Sequence, residues 1–253
     1  MTARKRAAPA PKGRKGSTPR KRVTRKSSTR KQGTSESSGR TKSTLAAPKV
    51  GRREKSKDQI RKRIVSAALQ LFESKGFDAT TTKQIATRAK IAEGTVFNYF
   101  ETKEDIALHF FELEVDHAID TVRADPRLRQ APLEEKLFAL VQTQLDYLAP
   151  HERFIGASIV AALRPSSKLG LSVQSLALRN RYLTFVQELI EESTPEDGMN
   201  MLSWVAPQAF WIYYCGVLLY WLHDGSAGKQ STLAFLDRSL KLGVAVLRKG
   251  AVQ

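Results

Sequence analysis

Cysteine, histidine and period-two alternation are what this 253-residue chain has least of, and each shortage removes a class of protein. The single cysteine, Cys215, leaves no internal disulfide framework and has no Cys or His companions at zinc-ligand spacing, so no metal site is expected and a reducing cytoplasm is the expected compartment. Four scattered histidines, His109, His117, His151 and His223, have no nucleophile or metal partner at a recognisable spacing, and no Gly-rich phosphate loop occurs. Neither an enzyme nor a cofactor protein is therefore expected. The first fifty residues contain no apolar run, which argues against a secretory signal. No segment alternates apolar and polar residues between hairpin signals, so strands are not expected.

Charge is plentiful but concentrated. Residues 1–57 hold 20 of the 42 Lys and Arg and 2 of the 25 Asp and Glu, whereas the other 196 residues hold 22 and 23. The basic surplus thus belongs to a tail, residues 1–56, whose runs such as RKRAAPAPKGRKGSTPRKR cannot bury enough apolar area to offset chain entropy. Such a segment is expected to be disordered, and a polycation of this kind favours a polyanion, double-stranded DNA first. It is either an arm on the DNA backbone or a solvating extension, and a start at Val50 would omit most of it.

Helical spacing takes over from Asp58. Ile60, Ile64, Ala67, Ala68, Leu71 and Phe72 draw one apolar stripe, which Gly76 ends. Thr81 with Gln84 fits a capping box, a turn is expected near 89–91, and Thr102 is the N-cap of a helix that ends before Pro126. Further helices are predicted over 132–149, 152–163, 169–192, from the TPED stretch at 194–197 to His223, and over 231–248. The fold class is all-α, and the 22 residues from Met201 to Leu222 are long enough to span a bilayer. Pro207, Gln208 and the polar tips of the Trp and Tyr residues favour a buried helix there instead, and no membrane partner is expected.

Two short helices joined by a tight turn and braced by a third form a helix-turn-helix, whose second helix enters the major groove. In AEGTVFNYF, Val96 and Phe100 can anchor one face. Glu93, Thr95, Asn98 and Tyr99 are left pointing elsewhere, with Gly94 leaving room for a close approach.

The segment IVSAALQLFESKGFDATTTKQIATRAKIAEGTVFNYFETKEDI resembles the tetracycline-repressor (TetR) family of bacterial transcription regulators. The match lies in an Ile-x-x-Ala-Ala-x-x-Leu-Phe helix, a Gly-Phe-x-x-Thr-Thr entry, Ile-Ala, and a Gly-x-x-Tyr-x-x-Phe-x-x-Lys pattern. It implies that Thr81 or Thr82 and Lys103 hold phosphates, while Thr95, Asn98 and Tyr99 face the groove. Three positions depart from the family pattern: Phe97 for a usual Tyr, Ala92 for a Ser cap, and Glu93 for a frequent Lys.

The resemblance further implies a DNA-binding domain at 57–115 and a C-terminal helical domain at 116–253, dimerised through its last two helices and holding a small-molecule effector. Such a protein acts as a repressor on a palindromic operator and is nucleoid-associated when bound. Trp204, Trp211 and Tyr214 are the candidate pocket residues, since Trp and Tyr can cage an apolar or cationic molecule, and packing of the core and of the dimer is the other reading of the same aromatics. The rival reading is an architectural DNA-compacting protein dominated by its basic tail.

Overall fold

The computed structural model describes residues 49–193 and 201–250, with side chains over 54–193 and 205–248. The tail's first 48 residues and the TPED start at 194–197 lie outside these. All regular structure among the described residues is helical: α1 (Lys49–Lys75), α2 (Thr82–Ala89), α3 (Glu93–Phe97), α4 (Lys103–Ala124), α5 (Leu133–Leu148), α6 (Glu152–Ala162), α7 (Lys168–Leu171), α8 (Val173–Ser193), α9 (Met201–His223) and α10 (Gln230–Gly250). Residues 48–253 form one compact unit.

Several boundaries follow from the punctuation in the sequence. Gly76, at φ +92°, takes the left-handed conformation that closes α1. Thr81 accepts from the Gln84 N–H while the Gln84 side chain accepts from the Thr81 N–H, which completes the expected capping box. Thr102 and Asp105 build a second one at the start of α4.

Two expectations are corrected. α1 begins at Lys49, inside the segment assigned to a disordered tail. GRREKSKD carries no apolar stripe, but its Arg, Lys and Glu are good helix formers that extend α1, and residues 54–58 are exposed. The helix expected over 169–192 is two: Ser172 is extended and its hydroxyl accepts from the Ser175 N–H, restarting the chain as α8. Gly170 of α7 lies against the Ala162 carbonyl, where a Cβ would come within 2.3 Å. That contact seats α7 on the end of α6.

The core runs continuously from α1 into the C-terminal helices. α1 packs on α2, α4 and α6, and α4 on α5 and α8, with α9 and α10 closing the far side. Phe154 of α6 is fully buried, stacking on Phe72 of α1 at 4.9 Å and on Phe111 of α4 at 5.8 Å. One large aromatic thus joins three helices.

Candidate nucleic-acid interface and effector site

α2, the turn and α3 form a helix-turn-helix held from α1. Lys90 takes φ +54° between the two short helices, and Arg63 of α1 donates to the carbonyls of Ala89 and Lys90, fixing the turn. Arg88 donates to the Gln70 side chain of α1 at 2.6 Å. Two arginines of this module are therefore spent on its own architecture, which leaves Lys83 and Lys90 exposed on it.

On α3, Val96 is fully buried and Phe100 nearly so, as their four-residue spacing requires. Glu93, Gly94 and Asn98 are exposed and Thr95 is half-exposed. A Cβ built at Gly94 meets nothing within 4 Å, so internal packing does not require a glycine there. Tyr99 departs from the expectation. The helix ends at Phe97, yet the Tyr99 and Phe100 N–H groups both donate to the Val96 carbonyl at 2.9 Å, and the Tyr99 ring, three residues after Val96, packs half-buried against the core, with the Arg61 guanidinium 6.0 Å from its centroid. Phe97, 48% exposed, takes the outward place instead. Its spacing of four from Glu93 already put it on that face.

Thr81 is exposed and its hydroxyl caps α2, while Thr82 donates to Glu93 Oε1 at 3.4 Å, tying the starts of α2 and α3 together. Lys103 differs most from its expected phosphate role. Its ammonium donates to the carbonyls of Phe77 (2.8 Å), Asp78 (3.0 Å) and Thr80 (3.3 Å) and lies 4.8 Å from the Phe77 ring centre. All three of its protons are used to hold the α1–α2 turn. Lys103→Met is expected to lower unfolding stability by about 1–3 kcal/mol, because those carbonyls lose a charged donor. Denaturant titration checks this; unchanged stability with a shallower salt dependence of DNA binding would return Lys103 to the phosphates.

The C-terminal helices grip this module by charge. Arg164, just past α6, makes a two-pronged contact with Asp78 at 2.9 and 2.7 Å, which holds the Asp78 carboxyl below its ordinary range. Lys168 of α7 reaches Asp105 at 3.3 Å and Glu101 at 3.5 Å, and Glu73 of α1 accepts from the Phe154 N–H at 2.8 Å. α6 and α7 therefore touch the end of α1, the α1–α2 turn and the start of α4.

Comparison with known proteins places both halves. Residues 64–110, from within α1 into α4, match the family described as bacterial regulatory proteins, tetR family, and residues 136–253 match the tetracyclin repressor-like C-terminal domain. The chain belongs to the TetR family. It is 29% identical over 86 residues to the fatty acid metabolism regulator protein of Bacillus subtilis, covering 34% of this chain and 44% of that one. The chain spans half or less of the length of the curated relatives it matches. Among solved structures, a TetR transcriptional regulator from Nitrosomonas europaea superposes with a TM-score of 0.60 at 18% identity, over 72% of this chain and 96% of that one. FadR from Bacillus subtilis in complex with stearoyl-CoA gives 0.55 at 23%, over 75% and 98%. At such identities the likeness is one of fold.

In the C-terminal helices of this TetR-family chain, Trp211 and Tyr214 of α9 meet around the buried Tyr182 of α8, with ring centres 5.8 and 5.6 Å from it. The third expected pocket residue, Trp204, has its side chain outside the described residues. A separate cavity of about 320 Å³ opens between α5, α8, α9 and α10; among the described residues its lining is apolar apart from Tyr213 and Ser239, with no Lys, Arg or His. Cys215 is half-buried and its thiol is pushed up chiefly by that burial, which makes it a poor nucleophile.

Glu114 of α4 is the residue that the sequence reading missed. It is 3% exposed, and burial pushes its carboxyl up to about 8. Its position was marked: it follows Phe110 by four and precedes Ala118 by four, inside the apolar stripe. Since the folded protein binds this proton more tightly than the unfolded chain, its contribution to stability is complete below about pH 4.5 and is lost as pH rises through about 8. Glu114→Gln should match the parent in urea at pH 5 and unfold at higher urea at pH 9. Parallel curves at both pH values would show that Glu114 ionises without cost.

Proposed function

We propose that this protein is a sequence-specific, ligand-responsive DNA-binding repressor that reads a palindromic operator as a homodimer. The observation that carries the reading is the exposed edge of α3. Glu93, Gly94, Phe97 and Asn98 face outward on a helix whose opposite side is locked by Val96, and the module bearing it is fixed from α1 by Arg63. A short helix presented in this way fits a major groove about 12 Å wide. Asn98 offers paired contacts to adenine, and Phe97 an apolar contact to a thymine methyl. The start of α2 at Thr81 and Thr82, with Lys83 beside it, faces the backbone and supplies N–H groups and a charge for phosphate.

The dimer reading rests on a second surface. Val205, Ile212 and Leu219 recur every seven residues on α9 and stay exposed, as do Phe235, Leu242 and Val246 on α10. The two sets are continuous, since the Tyr220 and Phe235 rings lie 5.4 Å apart. Spacing by seven is the pattern by which helices pair, and a two-fold axis here joins α9 and α10 to their mates in a four-helix bundle. The same face explains why Val205–His223 is apolar enough to cross a bilayer while only 28% of it is buried in one chain. A second copy covers it in an aqueous compartment, which agrees with a cytoplasmic protein.

Signal transfer follows from the grip of α6 and α7 and from α4, which begins in the DNA-reading module and ends in the effector module. In this division the first comprises about residues 57–115 and the second 116–253. An effector that binds one arrangement of α4, α5, α8 and α9 better than another shifts the reader helices between spacings. The tail is an arm on the DNA backbone. Removing residues 1–48, which leaves α1 intact, is expected to flatten the salt slope of operator binding without changing the preferred sequence; an unchanged slope removes the tail from the interface. Selecting bound DNA from a random pool tests the whole reading. An inverted repeat supports it, and no enrichment at physiological salt favours a compacting protein instead.

A further inference from the structure

Glu114 stands in an unusual setting for a carboxyl. Its Oε1 has no hydrogen-bond partner although the residue is 97% buried, and the one polar group against it is the amide of Gln144 on α5. Gln144 is itself oriented, because its Oε1 accepts from the Tyr182 hydroxyl at 2.8 Å and its amide protons are thereby left to face Glu114. Tyr147 of α5, Tyr182 of α8 and Tyr214 of α9 lie within its electrostatic reach: burial first, and the Glu114 charge second, make all three hydroxyls harder to ionise. Trp211 is half-buried, with its ring centre 5.8 Å from that of Tyr182 and 6.0 Å from that of Tyr214.

A buried carboxyl with an empty oxygen, ringed by aromatic faces, lacks one kind of partner. An anion would be repelled and a neutral apolar group would leave the oxygen unpaired, at a cost of about 1–3 kcal/mol. A cation satisfies the oxygen and the aromatic faces together. Two charged or titratable neighbours, Arg179 and His117, are not bonded to that oxygen: the buried Arg179 Nε is itself without a partner, and the His117 ring packs on Tyr147 at 5.3 Å. Arg179 of α8 lies with its guanidinium 5.5 Å from the Trp211 ring centre and acts on Cys215 of α9, while Glu114 itself feels burial and the Gln144 amide. Room for the rest of a ligand lies beyond: Phe210 lines the apolar cavity of about 320 Å³ and stacks on Tyr182 at 6.3 Å, and Tyr182 is bonded to the Gln144 that faces Glu114, so an aromatic path leads from the carboxyl to the cavity.

We propose that Glu114 anchors an effector that is a small organic cation, an ammonium group on an apolar body. The ammonium seats on the free oxygen among Tyr147, Tyr182 and Tyr214, and the body extends past Phe210 into the cavity. This assignment rests on the reading of the C-terminal helices as an effector module. Binding ionises a carboxyl that is mostly protonated at neutral pH, so the complex forms with release of one proton and tightens as pH rises.

The test titrates the full-length protein by calorimetry with decylammonium, decanol and decanoate, at pH 6.5 and 8.5 and in two buffers of different ionisation enthalpy. Expected are binding of decylammonium at least tenfold tighter than either isostere, at least tenfold tighter at pH 8.5 than at 6.5, and release of nearly one proton at pH 6.5 but only a small fraction of one at pH 8.5, where the carboxyl is already mostly ionised. Glu114→Gln, checked for fold by circular dichroism, should lose both the preference and the pH dependence. Equal affinity for decanol or decanoate in the parent protein overturns the proposal, whatever the variant does, and so does a folded variant that binds as the parent does. Operator binding measured on the same samples separates the two levels. Tight, Glu114-dependent binding that leaves operator affinity unchanged keeps the cation site and overturns the effector reading instead.

Discussion

Changing Ile212 and Leu242 together to Glu is expected to convert the protein to a monomer at micromolar concentration and to weaken operator binding at least a hundredfold. Both side chains lie flat on the surface of one chain, 71% and 70% exposed, on neighbouring helices. Fully burying an aliphatic side chain of this size contributes about 1.5–3 kcal/mol. In the proposed dimer four such residues meet at the two-fold axis, and four carboxylates there would replace attraction with desolvation and repulsion. The operator loses affinity because the second half-site is no longer delivered by the same molecule. Sedimentation velocity and a gel-shift titration read the two effects. A variant that stays dimeric would move the interface off α9 and α10.

Asn98→Ala is expected to weaken operator binding about 30-fold or more while leaving binding to unrelated DNA within about twofold. One paired side-chain contact to a base contributes about 1–3 kcal/mol, and a dimer makes it twice. Asn98 is exposed at the end of α3 and holds no partner side chain in place, so stability should not change. Tyr99→Phe is the informative companion. The Tyr99 ring packs on the core beside Arg61, so this change should move operator affinity far less than Asn98→Ala. A larger effect from Tyr99 than from Asn98 would restore the face that helical extrapolation assigned to it.

Much of the DNA-reading module was legible because its signals are local. Both capping boxes, the glycine that ends α1 and the inward pair Val96 and Phe100 depend on residues a few positions apart, and the structure has each where the spacing puts it. What was not legible depends on where a chain turns or on what a distant element offers. Tyr99 lies just past the last helical residue, and Lys103 reaches carbonyls more than twenty positions back. A lysine beside a reader helix suggests phosphate from sequence alone, and only the fold of the α1–α2 turn shows its protons already taken. The start of α1 was missed because stripes mark burial, and residues 54–58 of that stretch are exposed. Glu114 was legible in principle, as an acidic residue on an apolar stripe. The neighbouring Glu112 and Asp116 made it look like one more solvated charge.

The departures at the reader take a clearer form as well. Glu93 accepts from Thr82, so one negative charge at the start of α3 is partly occupied in joining α2 to α3. Arg63 and Arg88 are committed to α1 and the turn, and Lys103 to its carbonyls. In the proposed reading, specificity then belongs to the few outward residues of α3, and much of the backbone affinity to the basic residues before α1.

The most direct measurement is a footprint of the full-length protein on its selected DNA at physiological salt. The account predicts a single protected region of two-fold symmetry with half-sites about one helical turn, or a whole number of turns, apart, and protection that weakens when Asn98 is replaced by Ala. Even protection along the whole fragment, insensitive to Asn98 and removed by moderate salt, would contradict it.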